Sequence, residues 1–427
     1  MGGLARPYEF SKQLKDRGYK STIFASAYLH YTGENLIFDK SKYIEYLYNG
    51  IPFIFVRSPE YKNNGIFRIY NMIFFARNLF RVSKVFSGGG GKPDIIYASS
   101  PHPLTLIAGI MLGKKFSIPC ICEVRDLWPE SFVAYNIIKR NNPLLKLLYV
   151  GERWIYKKAD KLIFTMEGGS EYITDKQWDE EHGGPIDLNK VYHINNGIDL
   201  EKFNENKGKC VYNDVDLDDE SAFKVLYAGS MGQANALRYL VESAKIIQDK
   251  DIQNIKFILF GDGYQRQELE QFVKDNDLQN IMFKGRVEKK YIPNILSKSN
   301  LNVFTGKYIY LYKYGLSLNK MFDYFASGKP TVSNVECGYD MLEKYNCGIT
   351  VQGGSPGALA EGILKFYNMP KEEYNMHCQN ALRAAKDFDF KVLTDELEKT
   401  ILELAPGKGE ETYANTTNQL KKTVPNN

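Results

Sequence analysis

Phe223-Lys224-Val225-Leu226-Tyr227-Ala228-Gly229-Ser230-Met231-Gly232 carries an apolar run into a glycine-rich turn, and a helical pattern follows near Ala236–Ile247. A strand feeding such a turn and then a helix is how a doubly wound α/β domain opens. Glycines let a ligand approach the backbone, and the helix N-terminus beyond them attracts phosphate. A tight turn with no ligand is the plainer reading.

Downstream, short apolar runs recur at Ile255–Phe260, Ile281–Phe283, Leu301–Phe304, Thr331–Ser333 and Gly348–Val351, with helical stretches between them. Upstream the same alternation runs through Ser21–Ala27, Ile51–Arg57, Asp94–Ser99, Ile118–Val124, Lys161–Met166 and Val191–Ile194. Continuous apolar runs bounded by Gly, Pro or polar clusters are what buried parallel strands look like. The expectation is therefore two doubly wound Rossmann-like α/β domains facing across a cleft. Domain one is expected over 1–200, a polar linker over 201–220, and domain two over 221–385. A last helix at 386–405 (Val392–Leu404 its clearest part) and a disordered tail at 406–427 complete the chain.

One feature departs from this pattern. Arg6–Arg17 reads as the first helix, with only Met1–Ala5 before it. A doubly wound domain begins with a strand, which in the usual order lies mid-sheet. The first strand is missing here, and the expectation is that the native chain extends upstream of Met1.

Composition bounds the function. The 427 residues are 44% hydrophobic and 25% charged, ordinary for a folded protein. With 55 basic and 51 acidic residues the formal charge is +4, too balanced for a dedicated nucleic-acid binder. Six cysteines, the nearest pair being Cys120 and Cys122, suggest neither a disulfide framework nor a zinc site. No apolar run approaches the roughly 18 residues that span a bilayer. A cytoplasmic protein is expected, at most peripheral on the inner face of the membrane.

Gly2-Gly3-Leu4-Ala5-Arg6-Pro7 is a second glycine turn before a helix, so each half opens on one. Gly261-Asp262-Gly263 has a single carboxylate and reads as a strand-ending turn, with no metal site implied. The densest motif is Ser317-Leu318-Asn319-Lys320-Met321-Phe322-Asp323-Tyr324-Phe325-Ala326-Ser327-Gly328-Lys329-Pro330. Ser317 is placed as N-cap, Gly328 and Pro330 as the stop, and Met321, Phe322, Phe325 and Ala326 as the buried face. Lys320 and Asp323, three apart, share a side of the helix. They suit a diphosphate and a ribose diol, or equally a surface ion pair.

Taken in order, these motifs, with Asp126-Leu127-Trp128-Pro129-Glu130-Ser131 and Asn195-Asn196-Gly197-Ile198-Asp199 followed by Phe203, resemble retaining glycosyltransferases of family four. The bacterial branch that builds capsular and O-antigen polysaccharides is the nearest likeness, over most of Met1–Leu404. The resemblance implies a GT-B fold, a nucleotide sugar (UDP-linked) as co-substrate, no cofactor, no metal, and a lipid-linked or glycan acceptor. It assigns Gly3 and Arg6 to the donor diphosphate, with Gly229, Ser230 and Gly232 beside the phosphates from the other domain. Arg286 and Val287 would meet the base, Asn319 and Lys320 the phosphates and sugar, and Asp323 the ribose.

Two departures stand out. Gly315 and Asp323 occupy the positions where many members carry a pair of glutamates, so Asn319 is the candidate substitute for the first. Ser230 and Met231 stand where an Arg often follows the second glycine strand, leaving phosphate charge to Lys320 and Arg6, with Lys313 in reserve.

Breaking a sugar–diphosphate bond puts negative charge on the leaving group, and cations with aligned N–H groups stabilise it. Lys320 is the catalytic candidate for that task. Asp126, after the strand Ile118–Val124, is the catalytic candidate on the acceptor side, against a plain capping role at the Trp128–Pro129 turn. His102, between two prolines, is an acceptor-side candidate or a rigid-turn residue. Tyr61–Lys92 holds six basic residues and no acidic one, fitting either an anionic leaflet or a core helix with a solvated face. Arg153–Lys158 adds a smaller patch. A non-hydrolysing UDP-sugar epimerase and a non-catalytic GT-B scaffold are the alternatives.

Overall fold

The computed structural model describes residues 5–30, 32–61, 65–89, 92–100 and 102–405, and of 84–89 the backbone alone. The chain divides into two compact units, one built from residues up to Asn195 and from Leu393 onward, the other from Asn196–Val392.

In unit 1 the elements are α1 (Ala5–Asp16), β1 (Ile23–Ser26), β2 (Tyr28–Leu29), β3 (Glu34–Asn35), β4 (Tyr43–Tyr48), β5 (Ile51–Val56) and α2 (Ile66–Gly89). There follow β6 (Ile96–Ser99), α3 (Pro103–Phe116), β7 (Cys120–Val124), α4 (Glu130–Ala134), α5 (Pro143–Lys158), β8 (Lys161–Phe164), α6 (Gly169–Asp175) and β9 (Val191–His193). Unit 2 holds α7 (Leu200–Lys209), β10 (Phe223–Ala228), α8 (Arg238–Asp249), β11 (Ile255–Phe260), α9 (Arg266–Asp275), β12 (Ile281–Gly285), α10 (Ile292–Ser297) and β13 (Leu301–Phe304). Its later elements are α11 (Asn319–Ser327), β14 (Thr331–Ser333), α12 (Met341–Tyr345), β15 (Gly348–Thr350), α13 (Pro356–Tyr367) and α14 (Lys371–Asp387). The last helix, α15 (Phe390–Leu404), starts in unit 2 and belongs to unit 1 from Leu393. Arg17, just past α1, ties it down through Glu398 (2.5 Å) and Asp395 (2.7 Å). The tail expected at 406–427 lies outside the described residues.

The sheet of unit 2 has the order β12-β11-β10-β13-β14-β15, every pair parallel. Chain order reverses between β10 and β13, and that reversal is where doubly wound sheets bind ligands, beyond the strand C-termini. Val225, Leu226 and Tyr227 are fully buried, as a strand covered by helices on both faces requires.

Unit 1 is Rossmann-like with a break. Among the described residues its strands form three sheets: β1-β5-β4, the two-stranded β2-β3, and the parallel β6-β7-β8-β9. Phe24 of β1 and Ile96 of β6 pack on one cluster formed by β5, α2 and α3. α1 also reaches the first and last of these: Tyr8 stacks on Phe53 of β5, and Phe10 meets Tyr97 of β6. Among the described residues no strand precedes α1, and β1 and β6 each have one partner strand.

All twelve expected runs contain a strand. The stretch expected as a linker, 201–220, opens instead on α7. Asp199 caps that helix through Lys202 N–H (3.0 Å), and Phe203 sits in the core. The acidic run beyond it docks on strand lysines: Lys256 pairs with Asp219 (2.9 Å), and Lys284 with Asp214 and Asp216 (2.7 Å each).

Ile96 and Ser100 donate their amides toward Pro119 and Glu123 (3.0 Å each), so Tyr97 and Ser99 turn theirs to the outer edge of β6. Hydrogen exchange read by NMR should show Tyr97 and Ser99 exchanging faster than Ile96 and Ala98. Equal protection would contradict the edge position of β6.

Candidate functional site

In unit 2 the carboxyl ends of β10, β11, β12 and β13 gather the predicted donor residues. Gly229 follows β10, and its N–H donates to Phe260 O (3.0 Å) at the end of β11. Gly261, at φ +136°, passes so close that a Cβ there would lie 1.7 Å from Gly229 O. Its own N–H donates to Gly285 O (2.8 Å), and Arg286 (exposed) and Val287 (half-buried) follow directly. Met231 N–H reaches Asp262 O (2.9 Å), so the two glycine turns are locked backbone to backbone.

Lys320 lies in the first turn of α11 and points its ammonium at this turn. Its Nζ donates to Asn235 Oδ1 (2.6 Å) and Tyr227 Oη (3.3 Å), over the rings of Tyr227 (4.8 Å) and Phe304 (5.2 Å). A Cβ on Gly229 would stand 2.8 Å from Tyr227 Oη and 3.2 Å from that Nζ, so either side chain would have to give way to a larger residue. Asn235 Nδ2 in turn donates to Ser230 O and Oγ (2.9 Å each), and Tyr227 Oη donates to Ser230 O (2.7 Å). Burial pushes the Lys320 ammonium down to about 7. Among the described residues the groups around Nζ are an amide, a phenol and two ring faces.

The register of α11 is set by Tyr324, fully buried, whose hydroxyl accepts from Ala228 N–H (3.1 Å) and donates to Val303 O (3.2 Å). Met321, Phe322, Phe325 and Ala326 form the buried face as the pattern required. The cap is different from expectation. Ser317 Oγ accepts from Asn196 N–H (2.9 Å), so it is spent outside the helix, and Leu318 becomes the N-cap. Asn319 is exposed at the first turn, and Asp323 is half-buried one turn on. Burial pushes the Asp323 carboxyl up to about 6, with Lys289 pulling the other way. Gly315 adopts φ +98°, and exposed Lys313 lies over the Tyr314 ring (4.7 Å). Gly232, half-buried, precedes the short helical turn Gln233–Asn235 that supplies Asn235.

In unit 1, Gly3 lies outside the described residues. Arg6 faces inward. Its Nε meets Glu123 Oε1 at 2.6 Å, and its two Nη atoms donate to the carbonyls of Ile194 (2.8 Å) and Asn195. Glu123 is fully buried; burial pushes its carboxyl up, and the charges of Arg6 and Arg125 with the hydroxyls of Ser99 and Tyr97 outweigh that, holding it below the usual range. The diphosphate contact expected of Arg6 is not what this geometry provides, since its guanidinium is engaged within the unit.

Asp126, an exposed residue, stands two residues past β7. The turn behind it is closed by backbone, Trp128 N–H to Asp126 O (3.0 Å), so the side chain is not used as the cap. Flanking protein pushes its carboxyl up, while Arg125 and Arg68 pull it down. His102, at the N-terminus of α3, is buried, and its Nδ1 has no hydrogen-bond partner among the described residues. Burial, then the Arg68 charge, pushes its imidazole down to about 4, so it is neutral at physiological pH. The charge of Arg68, in the first turn of α2, lowers the carboxyl of Asp126 and the imidazoles of His102 and His30 alike, second in each imidazole to burial. His30 Nδ1 is paired with Tyr61 Oη (2.8 Å). Arg68, Tyr61 and His30 were missed in the sequence, where Arg68 was one cation among six. Asn235 and Tyr227 were missed too; a polar residue three beyond the second turn glycine was the available signal.

A sequence profile of the family described as Glycosyltransferase Family 4 matches residues 2–202, and one described as Glycosyl transferases group 1 matches 222–369. An uncharacterized glycosyltransferase of Methanocaldococcus jannaschii is 21% identical over 224 residues, a match spanning about half of each chain. Among solved structures, sucrose-phosphate synthase from Thermosynechococcus elongatus superposes with a TM-score of 0.66 at 15% identity, covering 93% of this chain and 92% of that one. Anabaena HepE in complex with UDP and glucose gives 0.59 at 16% identity, over 83% and 87% of the two chains. A UDP-forming trehalose-phosphate synthase from Burkholderia xenovorans gives 0.67 at 12% identity, over 93% and 97%. At these identities the likeness establishes the fold, GT-B with two parallel-sheet Rossmann-like units.

Removing one partner of a buried ion pair strands the other charge and costs about 3–5 kcal/mol. Arg6→Ala should lose stability on that scale in denaturant unfolding. An unchanged midpoint would return Arg6 to a ligand-facing role.

Proposed function

We propose that this chain, whose two halves match the profiles described as Glycosyltransferase Family 4 and Glycosyl transferases group 1, moves a sugar from a nucleotide-diphosphate donor, UDP-linked, to a hydroxyl of a lipid-linked or growing glycan acceptor, with retention at the anomeric carbon. The setting is bacterial capsular or O-antigen synthesis, the branch its motifs resemble. The observation that carries the reading is the Lys320 ammonium over the Gly229–Gly232 turn, ringed by neutral groups. A cation desolvated in this way is worth more to a departing diphosphate than one in water.

In this reading Lys320 and the turn amides receive the charge that develops as the sugar–oxygen bond breaks. Asn319 contacts phosphate and sugar, Asp323 takes the ribose hydroxyls, and Arg286 with the Val287 backbone meets the base. The bound UDP and glucose of the Anabaena relative support uridine as the nucleoside. On the acceptor side Asp126 orients the hydroxyl, and neutral His102, with Nδ1 available, holds a second acceptor group. Arg68 offsets the negative charge of a diphosphate-linked acceptor. The leaving phosphate takes the acceptor proton, so no paired nucleophilic carboxylate is needed, unlike a retaining hydrolase.

A panel of nucleotide sugars against lipid-diphosphate acceptors, scored by released nucleotide and product mass, tests this. Lys320→Ala should cut kcat roughly 10²–10³-fold, the scale of losing one oxyanion-type donor, and Asp323→Ala should raise KM for the donor. Unchanged rates would remove their roles. Sugar interconversion without acceptor would make the protein an epimerase, and donor binding without turnover a scaffold.

A further inference from the structure

Tyr264 follows Gly261-Asp262-Gly263 beyond β11, where the backbone is pressed onto the Gly229–Gly232 turn. A Cβ on Gly263 would lie 2.5 Å from Met231 O, and that same carbonyl accepts from Gln265 N–H (3.1 Å). Flanked by these two residues, the Tyr264 side chain is delivered over the turn. A Cβ on Gly232 would meet its ring carbon Cε1 at 3.8 Å, and its hydroxyl accepts from Gln233 N–H (2.9 Å). Yet the residue is 74% exposed.

The amides around the turn therefore divide into two kinds. Gly229 and Met231 donate to the backbone carbonyls of Phe260 (3.0 Å) and Asp262 (2.9 Å), bonds that the fold itself fixes. Gln233 donates to a side chain instead. Tyr227, whose hydroxyl serves the same turn through Ser230 O, is fully buried, whereas Tyr264 has little buried surface to lose. A single neutral hydrogen bond is the main hold on its hydroxyl. Exposed side chains change rotamer within picoseconds to nanoseconds. A phosphate oxygen makes a charge-assisted bond to the same amide, roughly twice as strong. Two residues on, Asn235 already joins Ser230 to the Lys320 ammonium (2.6 Å), so the amide and the cation meet on one short segment.

We propose that Tyr264 is a gate on the donor site: its hydroxyl holds the Gln233 amide until a phosphate oxygen of a nucleoside diphosphate takes it, and the ring then swings outward. This rests on the transferase reading and deepens it, naming the amide that the donor must take and the side chain that it must displace. A neutral sugar hydroxyl gains nothing by the exchange, so the gate favours ligands that carry phosphate.

Calorimetry of UDP binding to the full chain tests it. Tyr264→Phe keeps the ring and removes the competing hydroxyl, so it should tighten UDP roughly two- to tenfold, the scale of one neutral hydrogen bond. The melting curve of the free protein should not move, because water reaches the exposed amide. A tyrosine that merely supports the turn would lose affinity on the same change. Gln233→Pro removes the amide itself. Gly232, at φ −108° and ψ 167°, already has the extended backbone that a following proline requires, and proline suits the first position of a helical turn. That variant should weaken UDP roughly tenfold or more, the scale of a bond to a charged group. In its background Tyr264→Phe should change nothing. A wild-type chain that binds UDP while Tyr264→Phe binds it equally or more weakly overturns the gate alone, as does Gln233→Pro at wild-type affinity. A wild-type chain that binds no UDP overturns the transferase reading, and the gate with it.

Discussion

A lysine ammonium held against a glycine turn, with an amide, a phenol and two aromatic faces around it, is the interaction on which the proposed donor site depends. Water would hydrate Lys320 far better than these groups do, so the uncharged form gains ground. The negative charge of a departing diphosphate reverses that balance. The strain is small enough to be carried by the surrounding core and large enough to favour a ligand of one charge.

That placement follows from the packing of unit 2. Tyr324 bonds the ends of β10 and β13 at the strand-order reversal, and it stands one turn after Lys320 on α11. Met321, Phe322 and Phe325 fix the helix from beneath. Moving α11 by one residue would put Asn319 or Met321 where Lys320 now sits, so the core that holds the helix also fixes the place of its first turn. In unit 1 the comparable fixed point is the Arg6–Glu123 pair. It ties α1 to β7 and, through two carbonyls, to the residues just after β9.

Much of the fold was legible because buried parallel strands are written as continuous apolar runs. The strand β4 was not, since its Tyr, Glu and Leu residues lie half in water and alternate weakly. Helix α7 was hidden by its lysines, with Phe203 its one buried anchor. At the site, Lys320, Asp323 and Gly229 could be picked out because motif spacing is local. Arg6 could not be read correctly, because its carboxylate lies 117 residues away. Asn235 was invisible for the same reason: what makes it matter is its bond to Lys320, 85 residues away. Asn196, Asp199 and Phe203, quoted for their family likeness, turn out to be structural, holding Ser317, capping α7 and filling the core.

The central claim, a lysine kept near its titration point for a diphosphate, predicts a proton balance. At about pH 8 most Lys320 is neutral if its midpoint is about 7, while UDP is fully ionised. Binding must then recharge the amine, so calorimetry of UDP binding in buffers of different ionisation enthalpy should show uptake approaching one proton. That uptake should vanish below pH 6 and in Lys320→Met, and affinity should fall as pH rises through 7. Binding with no proton uptake at about pH 8 would contradict the account.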